Sequence, residues 1–457
     1  MRRIVRWALC AVLGGGGAAQ ADVLTVGPEG TYSSIQAALS VAVTRPLGVH
    51  EVRVQRGTYT ENLRAPNPCC GGRHIQVIGG WYNAFNSRDN DPAKTVIDGR
   101  SRGRVFTALG LTAGSLTLST LTLRGGYLEA GGIHGVATGA GLRATVTGEA
   151  RLALSWVNIQ SSVIRGEDGT NAEAQGAGAM VLLQDAARFS AHRVFFRNNM
   201  IVQGGASSLR AHGGGLHLQI FGGRADVSRN EFTSNWAYGN TYSTGGGLHA
   251  MVEQPGGLGL TVVESSFEGN VVHSTLGEGA GAEIRLHDGD GTHTAYLQRC
   301  RFRSNIGGRT QLDVSASGGS RFDAWDSLVA DGRGGVYVLV NQSQAHLTNL
   351  TVADNQLRGI QGSVAGGTLT VFNSIAFDNA GGDLSLAGSS YHTGFNLVGI
   401  DPRFKNPSGG DYDLDMASPA ADAGTNTPPA GIGHWDLALR SRVFNGAVDI
   451  GAYEWQP

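Results

Sequence analysis

A corner sequence, Phe-x-x-Asn, recurs along the middle of the chain at a nearly constant spacing. Its asparagines, which lie 36, 35 and 35 residues apart, are Asn199, Asn235, Asn270 and Asn305. Asn355 and Asn379 continue the series with a shorter spacing of 24 residues. Self-similarity at a fixed period of this length is typical of solenoids, in which one structural unit stacks on the next. The repeat therefore restricts the fold more than any other feature of the sequence.

Each repeat holds two short stretches in which apolar and polar residues alternate, for example residues 216–220 and 258–267. Such alternation indicates β-strands with one buried face, and no amphipathic helix lies between them. Two or three short strands cannot bury their apolar side alone, but stacked copies can, at about 4.8 Å per coil. Parallel crossovers are almost always right-handed. We predict an all-β fold, a single-stranded right-handed parallel β-helix.

The corner asparagine has two physical reasons to recur. Asparagine tolerates the left-handed backbone conformation that a sharp turn requires. In stacked coils its side-chain amides also fall in register, so the four asparagines at 35–36 residue spacing are expected to hydrogen-bond as a ladder. The phenylalanine three residues earlier is expected to stack inside the coil.

The first 21 residues have the pattern of a secretory signal peptide. Arg2, Arg3 and Arg6 precede a short apolar run, and residues 19–21 (Ala-Gln-Ala) have the small-x-small form of a cleavage site. We expect a mature chain from Asp22 that is secreted, periplasmic or on the cell surface, with no membrane-spanning segment after cleavage. A net charge of −2 offers no basic field for nucleic acid.

An N-terminal helix is predicted to cover the first edge of the stacked sheet, because open sheet edges must be protected. Ser33 and Gln36 have the spacing of a capping box at its start. The face of the helix that turns inward is expected to hold Ile35, Ala38, Leu39 and Ala42.

Residues 34–38 (Ser-Ile-Gln-Ala-Ala) and 54–62 (Val-Gln-Arg-Gly-Thr-Tyr-Thr-Glu-Asn) resemble the opening of proteins of the pectate-lyase-like superfamily. Residues 78–82 (Ile-Gly-Gly-Trp-Tyr) are similar to a second coil of such secreted proteins. The resemblance implies a right-handed parallel β-helix, a fold whose enzymes usually cut polysaccharide. The paired Phe-x-x-Asn and Gly-Gly-x-Leu motifs also resemble the repeats of chlamydial polymorphic membrane proteins, which are adhesins.

The C-terminal segment is similar to the choice-of-anchor Q domain of bacterial surface proteins. The matching motifs lie at 401–404 (Asp-Pro-Arg-Phe), 418–424 (Ser-Pro-Ala-Ala-Asp-Ala-Gly) and 448–454 (Val-Asp-Ile-Gly-Ala-Tyr-Glu). This resemblance implies an extracytoplasmic β-helix with a C-terminal cap. We therefore divide the chain into a signal peptide (1–21), a β-helix with an N-terminal cap (22–400) and an irregular C-terminal cap (401–457).

Polar residues at equivalent repeat positions are expected to line up on the outer surface, one residue per coil. Two imidazoles and a carboxylate in one column suit a transition metal such as zinc, or a sugar acid. The polar outer face of a sheet is the plainer interpretation. The candidate ligand-binding residues in these columns are His217, His249, Glu283, Arg285, Glu253 and His287.

The loop after this column is rich in aspartate and glycine. Asp288 and Asp290, at alternate positions, offer calcium two hard oxygen ligands. A solvated turn is the alternative, since the acidic residue that would complete an EF-hand loop does not follow. Calcium is the candidate cofactor for this loop.

The sequence does not identify catalytic residues. Serine-nucleophile, phosphate-loop and His-Glu-x-x-His motifs are missing from it, as are the signature words of pectinases and pectate lyases. We predict a monomeric exported surface protein that binds a polysaccharide or cell-surface glycan, adhesin-like and without catalysis. The alternatives are a polysaccharide lyase or glycoside hydrolase acting on an acidic polysaccharide, and an inert structural solenoid.

Overall fold

The computed structural model of the protein describes residues 22–131, 135–253, 259–274, 277–287 and 293–457. The predicted signal peptide and the predicted calcium ligands Asp288 and Asp290 lie outside the described residues. The described chain is a right-handed parallel β-helix of the all-β class, which confirms the predicted fold. No helix within these ranges is long and apolar enough to cross a membrane.

Each central coil passes through five strand positions, and strands at equivalent positions pair in parallel from coil to coil. We call the five resulting ladders A to E. One complete coil runs through Ala179–Gln184 (A), Arg188–Arg197 (B, bending into C), Met200–Val202 (D) and Ser208–His212 (E), and Leu216–Phe221 then returns to A.

The long ladders contain most of the strands. Ladder A comprises Leu63–Arg64, Phe106–Leu111, Leu142–Val146, Ala179–Gln184, Leu216–Phe221, Leu248–Glu253, Ala282–His287, Leu312–Ser317, the first halves of Val336–Thr348 and Ile360–Phe372, and Leu384–Gly388. Ladder B comprises Asp22–Val26, Val49–Gln55, His74–Trp81, Ser115–Arg124, Arg151–Gln160, Arg188–Arg197, Arg224–Ser228, Gly259–Val263, Thr294–Gln298, Arg321–Trp325, the second halves of the two long strands, and Tyr391–Gly394. Ladder C comprises Gly57–Tyr59, Thr95–Asp98, the ends of the 10-residue ladder B strands, Glu231–Thr233, Ser266–Glu268, Arg301–Arg303, Leu328–Ala330, Thr351–Ala353, Ile375–Phe377 and Leu397–Val398.

Ladders D and E belong to the central coils. Ladder D comprises Tyr127–Ala130, Val163–Gly166, Met200–Val202, Trp236–Tyr238 and Val271–His273. Ladder E comprises Val136–Thr138, Asn171–Gln175, Ser208–His212 and Tyr242–Thr244. Coils after residue 312 pass from C directly back to A, and this is why their repeat is shorter.

The N-terminal helix spans Ile35–Ala42, with short 3₁₀ turns later at Asn83–Phe85 and Pro92–Lys94. Its N-cap is Ser34, whose hydroxyl accepts from the N–H of Ala37 at 3.2 Å, so the capping box predicted from Ser33 is wrong. The carboxylate of Glu61 instead accepts from the first two helical N–H groups, both at 2.9 Å. A carboxylate from a neighbouring turn is the stronger acceptor for these otherwise unpaired donors. The buried face holds Ile35, Ala38, Leu39 and Ala42, as predicted.

The corner asparagines form a continuous buried ladder. In each step the amide Nδ2 donates to the Oδ1 of the next asparagine, at 2.9 to 3.0 Å, and the backbone N–H donates to the same oxygen. The left-handed conformation expected of them lies one residue earlier, at Asn198, Ser234, Gly269 and Ser304, where φ is 53° to 60°. That part of the prediction is wrong, because the asparagine satisfies buried backbone groups and does not itself make the turn. The ladder comprises Asn199, Asn235, Asn270 and Asn305.

Between Asn305 and Asn355 one coil has no asparagine at this corner, and Gln311 completes the ladder there. The parallel register places Gly332 where an asparagine would stand. The Gln311 side chain accepts from Asn305 Nδ2 at 2.8 Å and donates to Asn355 Oδ1 at 2.9 Å. A Cβ atom on Gly332 would lie 2.2 Å from the Gln311 amide carbon, so glycine makes room for the replacement.

Aromatic stacking and the C-terminal segment complete the core. The rings of Phe196, Phe232, Phe267 and Phe302 stack within 5° of parallel, with centroids 4.5 to 4.8 Å apart. In the irregular C-terminal segment, Phe404–Asn406 pairs antiparallel with Asp411–Leu414, beside a 3₁₀ turn at Pro407–Gly409. This segment packs along ladder C, where a cluster joins Tyr412, Leu437, Ala452 and Tyr453 to Leu328, Ala330 and Ala353.

Candidate functional site

A cleft forms where each ladder E strand turns sharply into the next ladder A strand. The turns begin with glycines at positive φ, between 58° and 68°. At Gly245, for example, a Cβ atom would lie 2.3 Å from the carbonyl oxygen of Leu248, so only glycine fits. The two ladders therefore meet at a concave corner, which encloses a volume of about 440 Å³. The turn glycines are Gly139, Gly176, Gly213, Gly245 and Gly279. We call this hollow the corner cleft.

The two walls of the corner cleft are rows of side chains in strand register. Ladder E contributes Glu173, Gln175, Arg210, His212, Thr241 and Tyr242. Ladder A contributes His217, Gln219, His249, Met251 and Arg285. The strand register places the predicted residues in one column, since His217 pairs with His249 and His249 pairs with Glu283. This column lies at the bottom of a cleft and not on an open sheet face.

Two stacked imidazoles lie at the bottom of the corner cleft. The side chains of His217 and His249 are 0% and 1% exposed, and their Nδ1 atoms lie 2.9 Å apart in a hydrogen bond. Neither Nε2 atom has a hydrogen-bond partner among the described residues. Burial holds the pKa of both residues well below the ordinary histidine value. Both rings are therefore neutral at physiological pH and each Nε2 can donate or accept, according to tautomer.

Glu283 follows His249 in the same ladder A column and does not line the cleft. Its carboxylate is 1% exposed, with Oε2 3.4 Å from His249 Nε2 and Oε1 2.5 Å from Arg285 Nε. Burial raises the pKa of Glu283 to about 7, although Arg285 opposes the shift. Asp313 is next in register, and burial followed by the charges of Glu283 and Glu278 raises its pKa well above the ordinary value.

Guanidinium groups lie on both sides of the corner cleft. Arg285 is fixed by Glu283 and by the hydroxyl of Tyr242, which itself donates to Glu278 at 3.0 Å. Arg210, on the opposite wall, is exposed and has no hydrogen-bond or ion-pair partner in the described part of the chain. A third imidazole, His212, is partly exposed, and its pKa is lowered to about 4 by burial and by Arg285. The cleft therefore presents cations and neutral imidazoles together.

Three carboxylates near the cleft have oxygens within 4.8 Å of one another: Glu278, Glu283 and Asp313. They have the chemistry to hold a hard cation. Arg285 and Arg309 already compensate them, since the Arg309 guanidinium lies 3.1 Å from Glu278. Within the described ranges, this set is the one in which three metal-binding side chains meet, and neither cleft histidine is part of it.

Two predicted residues lie away from the corner cleft. Glu253 and His287 are register neighbours, two residues beyond Met251 and Arg285, and do not line the hollow. His287 is exposed and contacts Ser317. Sequence reasoning missed the ladder E wall. A partial signal for it existed in the sequence, since Gln175 and His212, which line the wall, each stand just before a turn glycine.

The chain matches no family model and no curated protein. Among solved structures it is similar to "Crystal structure of pectate lyase Pel9A", at 14% sequence identity and a TM-score of 0.43. That match covers 96% of this chain and 98% of the other. The choice-of-anchor Q resemblance of the C-terminal segment stays a prediction.

Replacing Glu283 by glutamine is expected to change how stability depends on pH. The folded state keeps this carboxyl protonated up to about pH 7, whereas the unfolded chain releases the proton near its ordinary pKa. The carboxyl therefore contributes stability that is complete at acid pH and is lost as the pH rises through about 7. Glutamine mimics the protonated form. The free energy of unfolding of the variant should therefore rise relative to that of the wild type, by up to about 3 kcal/mol between about pH 5 and pH 8.

Urea unfolding of both proteins across this pH range measures the difference. Gln219→Leu, in the same cleft, removes no titratable group and is expected to show a constant offset from the wild type. A constant offset for Glu283→Gln as well would contradict the assignment of a raised pKa to this carboxyl.

Proposed function

We propose that this exported β-helix protein binds an acidic polysaccharide in the corner cleft, without catalysis. The observation that carries the proposal is the exposed guanidinium of Arg210, which has no partner in the described part of the chain and lies on the wall opposite Arg285. The partly exposed side chains of His212 and Gln219 add hydrogen-bonding groups to the lining, and sugar hydroxyls are suited to pair with them because they both donate and accept.

The charged groups favour an acidic sugar. Arg210 is free to bind a carboxylate, and guanidinium–carboxylate hydrogen bonds are among the strong ones in proteins. Arg285 adds a second positive group on the facing wall, beside the ring of Tyr242 at 5.4 Å from its centroid. The volume of about 440 Å³ lies in the range of ligand sites, and the cleft is open to solvent, as a polymer requires.

The carboxylates argue for binding over glycosidic hydrolysis. Hydrolases place two carboxyl groups on either side of the scissile bond. Among the described lining residues the one carboxylate is Glu173, which is bonded to Gln175 at 2.6 Å. Glu283 does not line the cleft and is bonded to Arg285.

The test is calorimetric titration with oligogalacturonate and with a neutral oligoglucan of equal length. Arg210→Gln is expected to weaken oligogalacturonate binding about tenfold, by loss of a charged hydrogen bond. Arg188→Gln is the matched control, since Arg188 is exposed on ladder B of the same coil. Equal affinity in wild type and Arg210→Gln would contradict the proposal, and growth of absorbance at 235 nm on incubation with a polyuronate would contradict its non-catalytic part.

Export and surface display are part of the same proposal. The basic, apolar and small-residue pattern of residues 1–21 supports secretion. The motifs within 401–457 that resemble the choice-of-anchor Q domain support a C-terminal cap of the kind found on bacterial surface proteins. A glycan-binding cleft is consistent with that location.

A further inference from the structure

A second hollow lies on the N-terminal coils, where two ladder B strands end and the chain turns into ladder C. Its volume is about 470 Å³, and its lining includes Gln55, Arg56, Trp81, Tyr82, Asn83 and Lys94. The backbone N–H of Arg56 donates to the Trp81 carbonyl at 2.9 Å and so fixes the two strand ends together. We call this hollow the N-terminal groove. It shares no lining residue with the corner cleft.

The N-terminal groove is rich in hydrogen-bond donors and poor in free acceptors. Gln55 Nε2 donates to Asn83 Oδ1 at 2.7 Å, which occupies the amide oxygen and leaves the Asn83 NH₂ group as a donor. Gln55 Oε1 is taken by the N–H of Glu29 at 3.4 Å. The indole N–H of Trp81 is buried without an acceptor among the described residues, so the donors within reach of a ligand are the Asn83 NH₂ group and the groove cations. A ligand here must therefore supply acceptors.

The positively charged side chains of the N-terminal groove also favour a ligand that supplies acceptors. The Arg56 guanidinium lies over the Tyr82 ring, 4.6 Å from its centroid, and forms no ion pair in the described part of the chain. Lys94 has Asp91 at 3.7 Å, with both side chains 43% exposed, a weak contact in water. Glu29, an acidic neighbour, is exposed, and one of its oxygens accepts from the N–H of Ala84 at 3.2 Å.

An aromatic side chain completes the groove. Tyr82 is 42% exposed, although its ring is large and apolar. Exposed aromatic rings beside polar donors are suited to the apolar face of a sugar ring, with the hydroxyl and carboxyl groups directed at the donors.

We propose that the N-terminal groove is a second saccharide-binding site, which binds an acidic sugar residue through Arg56 and Lys94 with its ring against Tyr82. The site goes beyond the corner cleft and uses different residues, so the two proposals can fail separately. A nucleic acid strand is the less suitable ligand, because the chain carries a net charge of −2 and only two groove cations.

The experiment is calorimetric titration of the full chain with tetragalacturonate, in wild type and in single variants. Arg56→Gln and Tyr82→Ala are each expected to weaken binding at one site per chain by about tenfold or more. Arg210→Gln should leave that site unchanged. The matched controls are Arg102→Gln, an exposed arginine of the same region, and Tyr391→Ala, a tyrosine 45% exposed on the last coil.

The outcomes separate the two sites. Binding lost in Arg56→Gln and Tyr82→Ala but kept in Arg210→Gln supports the N-terminal groove, whether or not the corner cleft also binds. Unchanged titrations in both groove variants, with unchanged thermal unfolding midpoints, overturn it. Within the Arg210→Gln background, equal affinity for cellotetraose, or tighter binding of single-stranded DNA, also overturns the assignment to an acidic saccharide.

Discussion

Replacing Asn270 by alanine is expected to lower the free energy of unfolding by about 4 kcal/mol. The Asn270 amide makes four buried hydrogen bonds. Nδ2 donates to the Phe232 carbonyl at 2.8 Å and to Asn305 Oδ1 at 2.9 Å. Oδ1 accepts from the N–H and the Nδ2 of Asn235, at 3.1 and 3.0 Å. Alanine removes all four bonds at a site with no solvent access. Asn305 Oδ1 and Asn235 Nδ2 each keep one other bond, whereas the Asn235 N–H and the Phe232 carbonyl lose these partners, and each such buried group costs about 1 to 3 kcal/mol.

The measurement is urea unfolding followed by circular dichroism. Asn270→Asp separates hydrogen bonding from shape, because the carboxylate has the same size but cannot donate to Phe232 or Asn305 when ionised. It is expected to destabilise at least as much as alanine. Glu268→Ala, on an exposed side chain two residues away, should stay within about 0.5 kcal/mol of wild type. A loss below about 1 kcal/mol for Asn270→Ala would show that the ladder adds little to stability.

Replacing Arg442 by methionine is expected to loosen the C-terminal segment and to lower stability by about 3 to 5 kcal/mol. Arg442 is 1% exposed, and its Nε lies 3.3 Å from the fully buried Asp326. Its Nη2 donates to the carbonyls of Asp449 and Gly451, so one side chain ties ladder B to the last turns of the chain. Methionine fills a similar volume but leaves Asp326 as a buried carboxylate without its counter-charge.

Limited proteolysis and urea unfolding measure the two effects. Cleavage within residues 401–457 should become faster in Arg442→Met and stay unchanged in Arg333→Met, which alters an exposed arginine on the coil that contains Asp326. Burial already raises the pKa of Asp326, and loss of Arg442 removes a charge that lowers it. The stability deficit of the variant should therefore shrink at acid pH, where the carboxyl is protonated. A deficit that does not depend on pH would contradict the role given to Asp326.

The repeat determined the long-range register of the central coils. Equal spacing of asparagine and phenylalanine predicted which residues lie above one another, and the stacked Phe232 and Phe267 rings at 4.6 Å follow from it. The same alignment brought His217, His249 and Glu283 into one column. These predictions succeed because a solenoid converts sequence period directly into spatial neighbourhood.

The tertiary structure decided whatever depends on how a coil bends between its strands. Gln311 takes the place of an asparagine because Gly332 leaves a space, a relation between residues at different positions of the repeat. Ladder E is another case, since only the glycine turns fold its strands against ladder A and bring Arg210, His212 and Tyr242 over the imidazoles. The repeat period determines which residues stack on one another along the axis of the β-helix. The burial and pKa values of those residues depend on packing across the axis, which the repeat does not encode.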